Sequence, residues 1–235
     1  RDRLRGDPLL SFCMAPHAPY TVSDATLERV VTLAAQLDLP IHIHIHETSA
    51  EIEESLQLHG LRPLERLHRL GVLGPGLIGV HAAHLEEGEI RLLAKYDCSI
   101  AHCPSSNMKL ASGIAPIVAM LEHGLRIGLG TDGAASNNRL DIFQEMRHAA
   151  LLAKAVSGHA AAVGAHDVLR MATLNGAAAL GLAAKIGSIR AGKAADLCAV
   201  CLDTIETRPC YDPASHLVYA AGREQVSHVW VNGIL

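Results

Sequence analysis

The central part of the chain alternates short apolar runs with longer amphipathic segments. Each run ends near a polar residue, and the segment after it carries apolar residues at helical spacing. The runs cover residues 9–17, 41–47, 77–84, 98–104 and 125–132. The spacing predicts helices over 24–37, 49–59, 85–95 and 114–123, the first two with polar or acidic residues suited to a helix start.

Strands that alternate with helices in this way predict βαβ units and a parallel sheet. The strands are predicted to end at His17, His44, His81, His102 and Asp132, with separations of 27, 37, 21 and 30 residues, each about one βα unit. In a (β/α)8 barrel the carboxyl ends of the strands meet on one face, where active sites lie. We therefore expect an α/β fold: a partial TIM-type barrel of about five βα units, with about three further units upstream of Arg1.

The pattern changes after Asp132. Two Ala/Leu-rich helical stretches cover 138–156 and 166–182, with Gly181 as a helix stop, and short strands are predicted over 187–202 and 226–235. This predicts two domains: a partial barrel over 1–182 and the C-terminal part of a small β-sandwich domain over 183–235.

Composition narrows the function classes. The net charge of −4 gives no basic footprint for nucleic acid, and no apolar run approaches the roughly 18 residues that span a membrane. No G-x-S-x-G, Walker A or strand-linked G-x-G-x-x-G motif is present. The six cysteines, including Cys198 and Cys201 in an apolar strand-like run, are interpreted as reduced thiols of a cytoplasmic protein.

Histidine occurs 15 times, and three histidines alternate in the run from Ile41 to Glu47. In a strand, His42, His44 and His46 share one face, and imidazole is the commonest zinc ligand. The alternatives are a solvated edge strand and, for each histidine alone, a structural role. Glu47, three residues after His44, fits either a general acid–base in metal-assisted hydrolysis or a helix N-terminal glutamate.

The later strand ends leave similar alternatives open. His81 and His84 fit capping or core roles, and for His84 the core role is favoured. Asp132 is either a cap of the following segment or a metal ligand or base at the barrel mouth. His102 is interpreted as structural.

At this point several motifs resemble a known family. They are APHAPYTVSD (15–24), IHIHIHETSAEI (41–52), HCPSSNMKLASGIAP (102–116), GTDGAASNNRLDIFQEMR (130–147), MATLNGAAALGL (171–182) and IGSIRAGKAADL (186–197). Together they resemble the C-terminal part of the amidohydrolase superfamily, in particular its 5′-methylthioadenosine/S-adenosylhomocysteine deaminase family. GTDGAASNN is typical of the branch that also holds triazine and guanine hydrolases.

The resemblance implies a role for each of five residues. His44 and Asp132 would be zinc ligands, with iron or manganese as alternatives. Glu47 would contact the purine and shuttle a proton, Asp132 would also contact substrate and accept a proton, His81 would orient the hydrolytic water, and His17 would bind substrate. The family's first two ligands, an H-x-H pair, do not precede His17, so we expect them upstream of Arg1.

The activity that the resemblance implies is hydrolytic deamination of 5′-methylthioadenosine and S-adenosylhomocysteine to the inosine analogue and ammonia. A related guanine or s-triazine deaminase or chlorohydrolase is the alternative, as is a catalytically incomplete piece with weak metal affinity. The expected partner is a small nucleoside, with no nucleic acid and no membrane. Self-association into a homo-oligomer is left open.

Overall fold

A four-stranded parallel sheet forms the centre of the protein. The computed structural model describes residues 6–7 and 9–235, so the first five residues of the predicted barrel domain lie outside the described residues. The strands are β1 (Ile41–Ile45), β2 (Leu77–His81), β3 (Ser99–His102) and β4 (Arg126–Leu129), in that order across the sheet. All three pairings are parallel, and every carboxyl end therefore lies at one edge, as a barrel wall requires.

Helices connect and cover these strands. They are α1 (Asp24–Leu37), α2 (Ser49–His59), α3 (Pro63–Arg69), α4 (Glu87–Lys95), α5 (Pro104–Lys109), α6 (Ile117–Glu122), α7 (Ala134–Asn137), α8 (Ile142–Ser157), α9 (Ala165–Arg170), α10 (Gly176–Ala179) and α11 (Pro213–Tyr219). A π-helical turn, Met171–Asn175, joins α9 to α10. None of the helices in the described part of the chain is long and apolar enough to cross a membrane.

The first two helices begin and end where the sequence predicts. The side chain of Ser23 accepts a hydrogen bond from the amide of Thr26 at the start of α1, and Thr48 caps α2 by accepting from the amide of Glu51. These hydroxyls satisfy amides that have no partner within the helix. Gly60 ends α2 in the left-handed conformation.

Apolar side chains between the sheet and the helices form the core. Ile43 of β1, Ile100 of β3 and Ile127 of β4 are fully buried with Leu27 of α1 and Met120 of α6. Burying each such side chain stabilises the fold by about 1.5–3 kcal/mol. The core thus holds the strands in register and fixes the edge at which they end.

The predicted strand over 9–17 is wrong, since this segment forms only a single bridge, from Met14 to Ile41. The His42 amide donates to the carbonyl of Met14, and the His44 amide donates to the carbonyl of His17. Pro16 lies between these contacts and has no amide hydrogen, which prevents a regular ladder. The segment still delivers His17 to the end of β1.

Close packing of a helix on β4 depends on glycine. A methyl group added at Gly128 would lie 3.0 Å from the Cα of Gly176, the first residue of α10. The absence of a side chain allows the π-helical turn and α10 to lie directly on the strand. The predicted helix over 166–182 is confirmed up to Ala179, and Gly181 lies beyond its end at φ 71°.

The C-terminal region contains a second, smaller sheet. β5 (Leu197–Val200) and β6 (Val226–Trp230) pair antiparallel, with a shift in register between Ala199 and Val200. β5 starts later than predicted because Gly187 and Gly192 take positive φ values and turn the chain before it begins. β6 ends earlier than predicted because Asn232 and Gly233 also take positive φ values and turn the chain after it. The sequence prediction also missed α11, which Asp212 caps and Pro213 starts. The domain boundary after residue 182 stays a prediction.

Candidate active site

Three histidines from different segments lie side by side at the carboxyl edge of the parallel sheet. The ring centroids of His17 and His44 are 5.0 Å apart, and those of His44 and His81 are 5.3 Å apart with nearly parallel planes. His81 is almost completely buried, His44 is half-buried and His17 is exposed. The row therefore runs from the interior of the protein to the solvent.

Hydrogen bonds orient all three rings in the same way. The Nδ1–H of His44 donates to the carbonyl of His17 at 2.8 Å, and the Nδ1–H of His81 donates to Oδ1 of Asn107 at 2.8 Å. Nδ1 of His17 lies 2.8 Å from Oγ1 of Thr21, whose own hydrogen goes to the carbonyl of Ala18. Each Nδ1 is thus a donor, which leaves each Nε2 with a free lone pair for a metal, water or substrate.

Asp132 follows β4, and hydrogen bonds hold both of its carboxylate oxygens. Oδ2 accepts from the hydroxyl of Ser106 at 2.6 Å, and Oδ1 accepts from the amide of Gly133 at 2.6 Å. Partial burial acts to raise the pKa of Asp132, but the hydrogen bonds from Ser106 and Gly133 and the nearby His81 together lower the pKa below its ordinary value. Asp132 is therefore a carboxylate at neutral pH.

Helix α5 connects Asp132 to the histidine row. Its consecutive residues Ser106 and Asn107 contact Asp132 and His81, and His81 in turn stacks on His44. Short contacts therefore lead from His44 to Asp132 along one edge of the sheet. The two residues expected to share a metal do not lie on opposite sides of the molecule.

Glu47 lies beside His81. Its Oε2 is 3.8 Å from Nε2 of His81, and its Oε1 accepts from the hydroxyl of Ser112 at 3.3 Å. The buried carboxylate of Glu51 fixes the backbone here by accepting from the amides of His46 and Glu47. Burial raises the pKa of Glu51, while these amide hydrogen bonds act to lower it. The half-buried carboxylate of Glu47 is thus held at the rim beside His81 and Ser112.

Strained backbone accompanies three of the site residues. His17, His81 and Asp132 have φ values of 63°, 71° and 60°, in the left-handed region that residues other than glycine rarely adopt. Such conformations persist where surrounding contacts impose them, and they concentrate at functional sites. Here they turn the chain sharply at or after the strand ends, where the chemistry-bearing side chains stand.

Other predicted histidines lie elsewhere. His46 does not share the face of His42 and His44, because its φ of 47° turns the chain after β1 and buries the ring. There its Nε2 accepts from the amide of Leu64, and burial lowers the pKa of His46 to about 4. His42 is exposed, and Nε2 of His84 bonds to the carbonyl of Ser112. These three histidines stay outside the row.

His102 ends β3 close to His81 but is not part of the stacked row, and its structural role stays a prediction. Its buried ring lines an apolar groove between α6 and α8. Burial, together with the nearby His81, lowers the pKa of His102 to about 4. Within the described residues its Nδ1 has no hydrogen-bond partner.

Sequence reasoning missed the residues that hold the site together. They are Glu51, Ser106, Asn107, Ser112 and Glu145. One signal was available: the polar run Ser105–Ser106–Asn107 directly follows an apolar strand and is buried. A polar run at such a position must find hydrogen-bond partners inside the protein.

The donor set suits a zinc ion but is too small to hold one alone. A metal-bound histidine commonly donates its other N–H to a carbonyl, as His44 does to His17. Asp132 supplies a fixed carboxylate. Within residues 6–7 and 9–235 no group of three or more His, Cys, Asp or Glu residues is arranged to hold a metal. His44 and Asp132 therefore fit as two ligands of an ion that needs at least three.

The fold and this site can now be compared with known protein families. The amidohydrolase family model matches residues 4–235, and the chain belongs to that family. A curated relative is 5-methylthioadenosine/S-adenosylhomocysteine deaminase from Teredinibacter turnerae, 47% identical over 233 residues, which are 99% of this chain and 53% of that protein. The chain thus spans about half the length of this relative.

Solved structures of related proteins also superpose on this chain. An adenosine deaminase from Xanthomonas campestris with bound zinc superposes with a TM-score of 0.97 at 53% identity, covering 99% of this chain and 53% of that one. An atrazine chlorohydrolase from Arthrobacter aurescens complexed with zinc superposes with a TM-score of 0.85 at 29% identity, covering 90% of this chain and 47% of that one. The partial-barrel prediction and the family resemblance are both confirmed.

Proposed function

We propose that this chain forms part of the active site of a zinc-dependent hydrolytic deaminase of adenine nucleosides, with 5′-methylthioadenosine and S-adenosylhomocysteine as substrates. The observation that carries the proposal is the continuous set of contacts from His17 through His44 and His81 to Asp132, with Glu47 beside it. The names of the relative and of the zinc-containing adenosine deaminase support the same reaction.

One member of the histidine row and Asp132 would bind the zinc ion. Nε2 of His44 and the carboxylate of Asp132 would hold the ion, and the proposal requires the remaining ligands to come from residues outside this chain. A bound zinc ion would lower the pKa of a water ligand to about 7. Zinc is favoured over iron or manganese because the zinc-containing structures superpose on this chain.

The chemical step needs one proton acceptor and one proton donor. Asp132 takes the proton from the attacking water as its oxygen bonds to C6 of the adenine ring. Glu47 donates a proton to ring nitrogen N1, which makes C6 more electrophilic. Nε2 of His81, 3.8 Å from Glu47, orients the water. Asp132 then passes its proton to the amino nitrogen, the bond from C6 to that nitrogen breaks, and ammonia leaves. The proton of the new C6 hydroxyl passes to Glu47, which restores its acid form and leaves a carbonyl at C6.

His17 and Asp132 complete the substrate contacts. The exposed ring of His17 stands at the outer end of the row with its Nε2 free, where it would hydrogen-bond the purine. Glu47 and Asp132 contact the ring at the atoms that change during the reaction. We also propose that the protein is cytoplasmic, since all six cysteines in the described part of the chain are free thiols.

An s-triazine or guanine hydrolase is the second candidate. The superposition on the atrazine chlorohydrolase favours it, although the identity there is 29% against 53% for the adenosine deaminase. Both candidates use the same arrangement of carboxylates and histidines. The substrate alone distinguishes them.

Ammonia release by the full encoded protein tests the choice. We expect turnover of 5′-methylthioadenosine and S-adenosylhomocysteine, one zinc per active site by elemental analysis, and little action on guanine or atrazine. Absence of ammonia from both nucleosides would reject the named substrates, and release from guanine or chloride from atrazine would select the second candidate.

The separate chain of residues 1–235 tests the ligand count. We expect weak zinc binding and negligible turnover because two ligands do not hold a catalytic zinc. A tight one-to-one zinc complex with full activity in this piece would show that the ligand argument is wrong.

A further inference from the structure

We propose that Glu145 is a positioning residue that fixes Asp132 and His81 at the rim, through two segments that it binds at once. The inference rests on the proposed function because it takes Asp132 as a zinc ligand. Glu145 belongs to α8, touches neither Asp132 nor His81 directly, and has no exposed surface. Its influence on the site must pass through its hydrogen-bond partners.

Each carboxylate oxygen of Glu145 binds a different segment. Oε2 accepts from the backbone amide of Ser105 at 3.0 Å, in the first turn of α5. Oε1 accepts from the side-chain amide of Asn137 at 2.8 Å, at the end of α7. One buried side chain therefore joins the connection after β3 to the connection after β4.

The first connection reaches the site through the residues that follow Ser105. Ser106 donates to Oδ2 of Asp132, and Asn107 accepts from Nδ1 of His81. Anchoring the amide of Ser105 fixes the start of this short helix. A shift of that helix would move the partners of Asp132 and His81 together.

The second connection reaches Asp132 from the other side. The same side-chain nitrogen of Asn137 that binds Glu145 also donates to the carbonyl of Thr131 at 2.7 Å. Thr131 directly precedes Asp132, whose own φ of 60° needs support from its surroundings. Glu145 thus constrains the chain before Asp132 as well as the hydroxyl that holds its carboxylate.

Glu145 is an acidic side chain that is buried without an ion-pair partner among the described residues. None of the ion pairs within 4 Å among the described residues includes Glu145, although its place in the first turn of α8 favours a negative charge. Burying a carboxylate is costly unless it is paired or well hydrogen-bonded. A carboxylate offers two acceptor oxygens to two N–H donors, whereas glutamine offers only one and would turn its own N–H groups toward the other donor.

The test is Glu145→Gln in the full encoded protein, with zinc affinity measured by chelator competition beside kcat and KM. We expect the zinc Kd to rise about 10-fold or more, as for other residues that orient metal ligands. We expect kcat to fall by a similar factor while KM changes little, because the altered geometry affects the reacting groups rather than the purine contact at His17. The melting temperature is recorded for every variant.

Met146→Ala is the matched control. Met146 is the next residue of α8 and lies in the hydrophobic core, so its loss lowers the melting temperature without touching Ser105 or Asn137. We expect its zinc Kd and kcat to stay at wild-type values at a temperature where it is folded. An equal loss of zinc affinity in Met146→Ala and Glu145→Gln would overturn the inference, because general destabilisation would then suffice.

Asn137→Ala and the double variant complete the cycle. Asn137→Ala should weaken zinc binding in the same direction, and Glu145→Gln/Asn137→Ala should weaken it by less than the product of the single effects, because the two residues act through one contact. Wild-type zinc affinity and kcat in Glu145→Gln would reject the role of Glu145 while leaving the proposed deaminase intact. Weakened zinc binding in a protein that deaminates neither nucleoside would support Glu145 and reject the substrates.

Discussion

The two sheets of this protein differ in burial and in the chemistry that they carry. All five residues of β2 in the parallel sheet are buried, whereas the three central residues of β6 in the antiparallel pair are exposed. Every proposed site residue lies beside the parallel sheet, and none lies on the second. Helices enclose the first sheet and fix where its strands end, and the residues at those ends can then be held in strained conformations. The contrast shows that the proposed site residues lie where helices enclose a sheet, and not where the strands of the second sheet are exposed.

The largest expected effect comes from removing a rim ligand. His44→Ala should abolish zinc binding and turnover in the full encoded protein, because its Nε2 has no substitute at the end of β1. Elemental analysis and ammonia release measure this. His42→Ala on the same strand is the control, since the His42 side chain is exposed. Zinc content equal to wild type in His44→Ala would exclude His44 as a ligand.

Glu47→Gln should separate chemistry from metal binding at the same rim. The variant keeps the shape of the side chain but has no acidic proton to transfer, so we expect a normal zinc content and a fall in kcat of about 10²-fold or more. Steady-state kinetics with 5′-methylthioadenosine give the comparison. Near wild-type turnover would remove Glu47 from its role as proton shuttle.

Truncation of one apolar residue in each sheet measures the difference in burial directly. Ile127 of β4 is fully buried, whereas Val229 of β6 is 54% exposed. We expect Ile127→Ala to lower the free energy of unfolding by about 2–5 kcal/mol and Val229→Ala to change it by no more than roughly 0.5 kcal/mol. Urea denaturation measures both. Equal losses would show that the second sheet is as well packed as the first.

The smallest effect is a pH dependence that arises from the parallel sheet alone. Because burial lowers the pKa of His102 to about 4, the unfolded chain binds a proton there more readily than the folded protein. The stability contribution is complete above pH 6.5 and is lost as the pH falls from 6.5 toward 4. In His102→Leu this part of the slope should disappear in urea denaturation at several pH values. An unchanged slope would show that other groups cause it.

Much of the fold was predictable because local rules and the tertiary structure agree. The candidate cap Ser23, the acidic residues early in 49–59 and the apolar spacing placed α1 and α2 correctly. The run over 9–17 looked like the other strands, but Pro16 removed a necessary donor. Helix α11 was missed even though Asp212 and Pro213 are typical start residues. Local composition alone did not reveal how this tail packs.

The sequence determined which chemical groups stand near the strand ends. The spacing of the βα repeat separates His17, His44, His81 and Asp132, and Glu47 follows His44 by three residues. Only the tertiary structure decided which groups meet. The rule that alternate residues share a face holds while the backbone is extended, and His46 leaves that face because its φ turns positive at the end of β1. The hydrogen-bond partners of Nδ1 in the three histidines of the row, and those of Glu51 and Glu145, depend on how the chain folds. A local sequence pattern does not predict them.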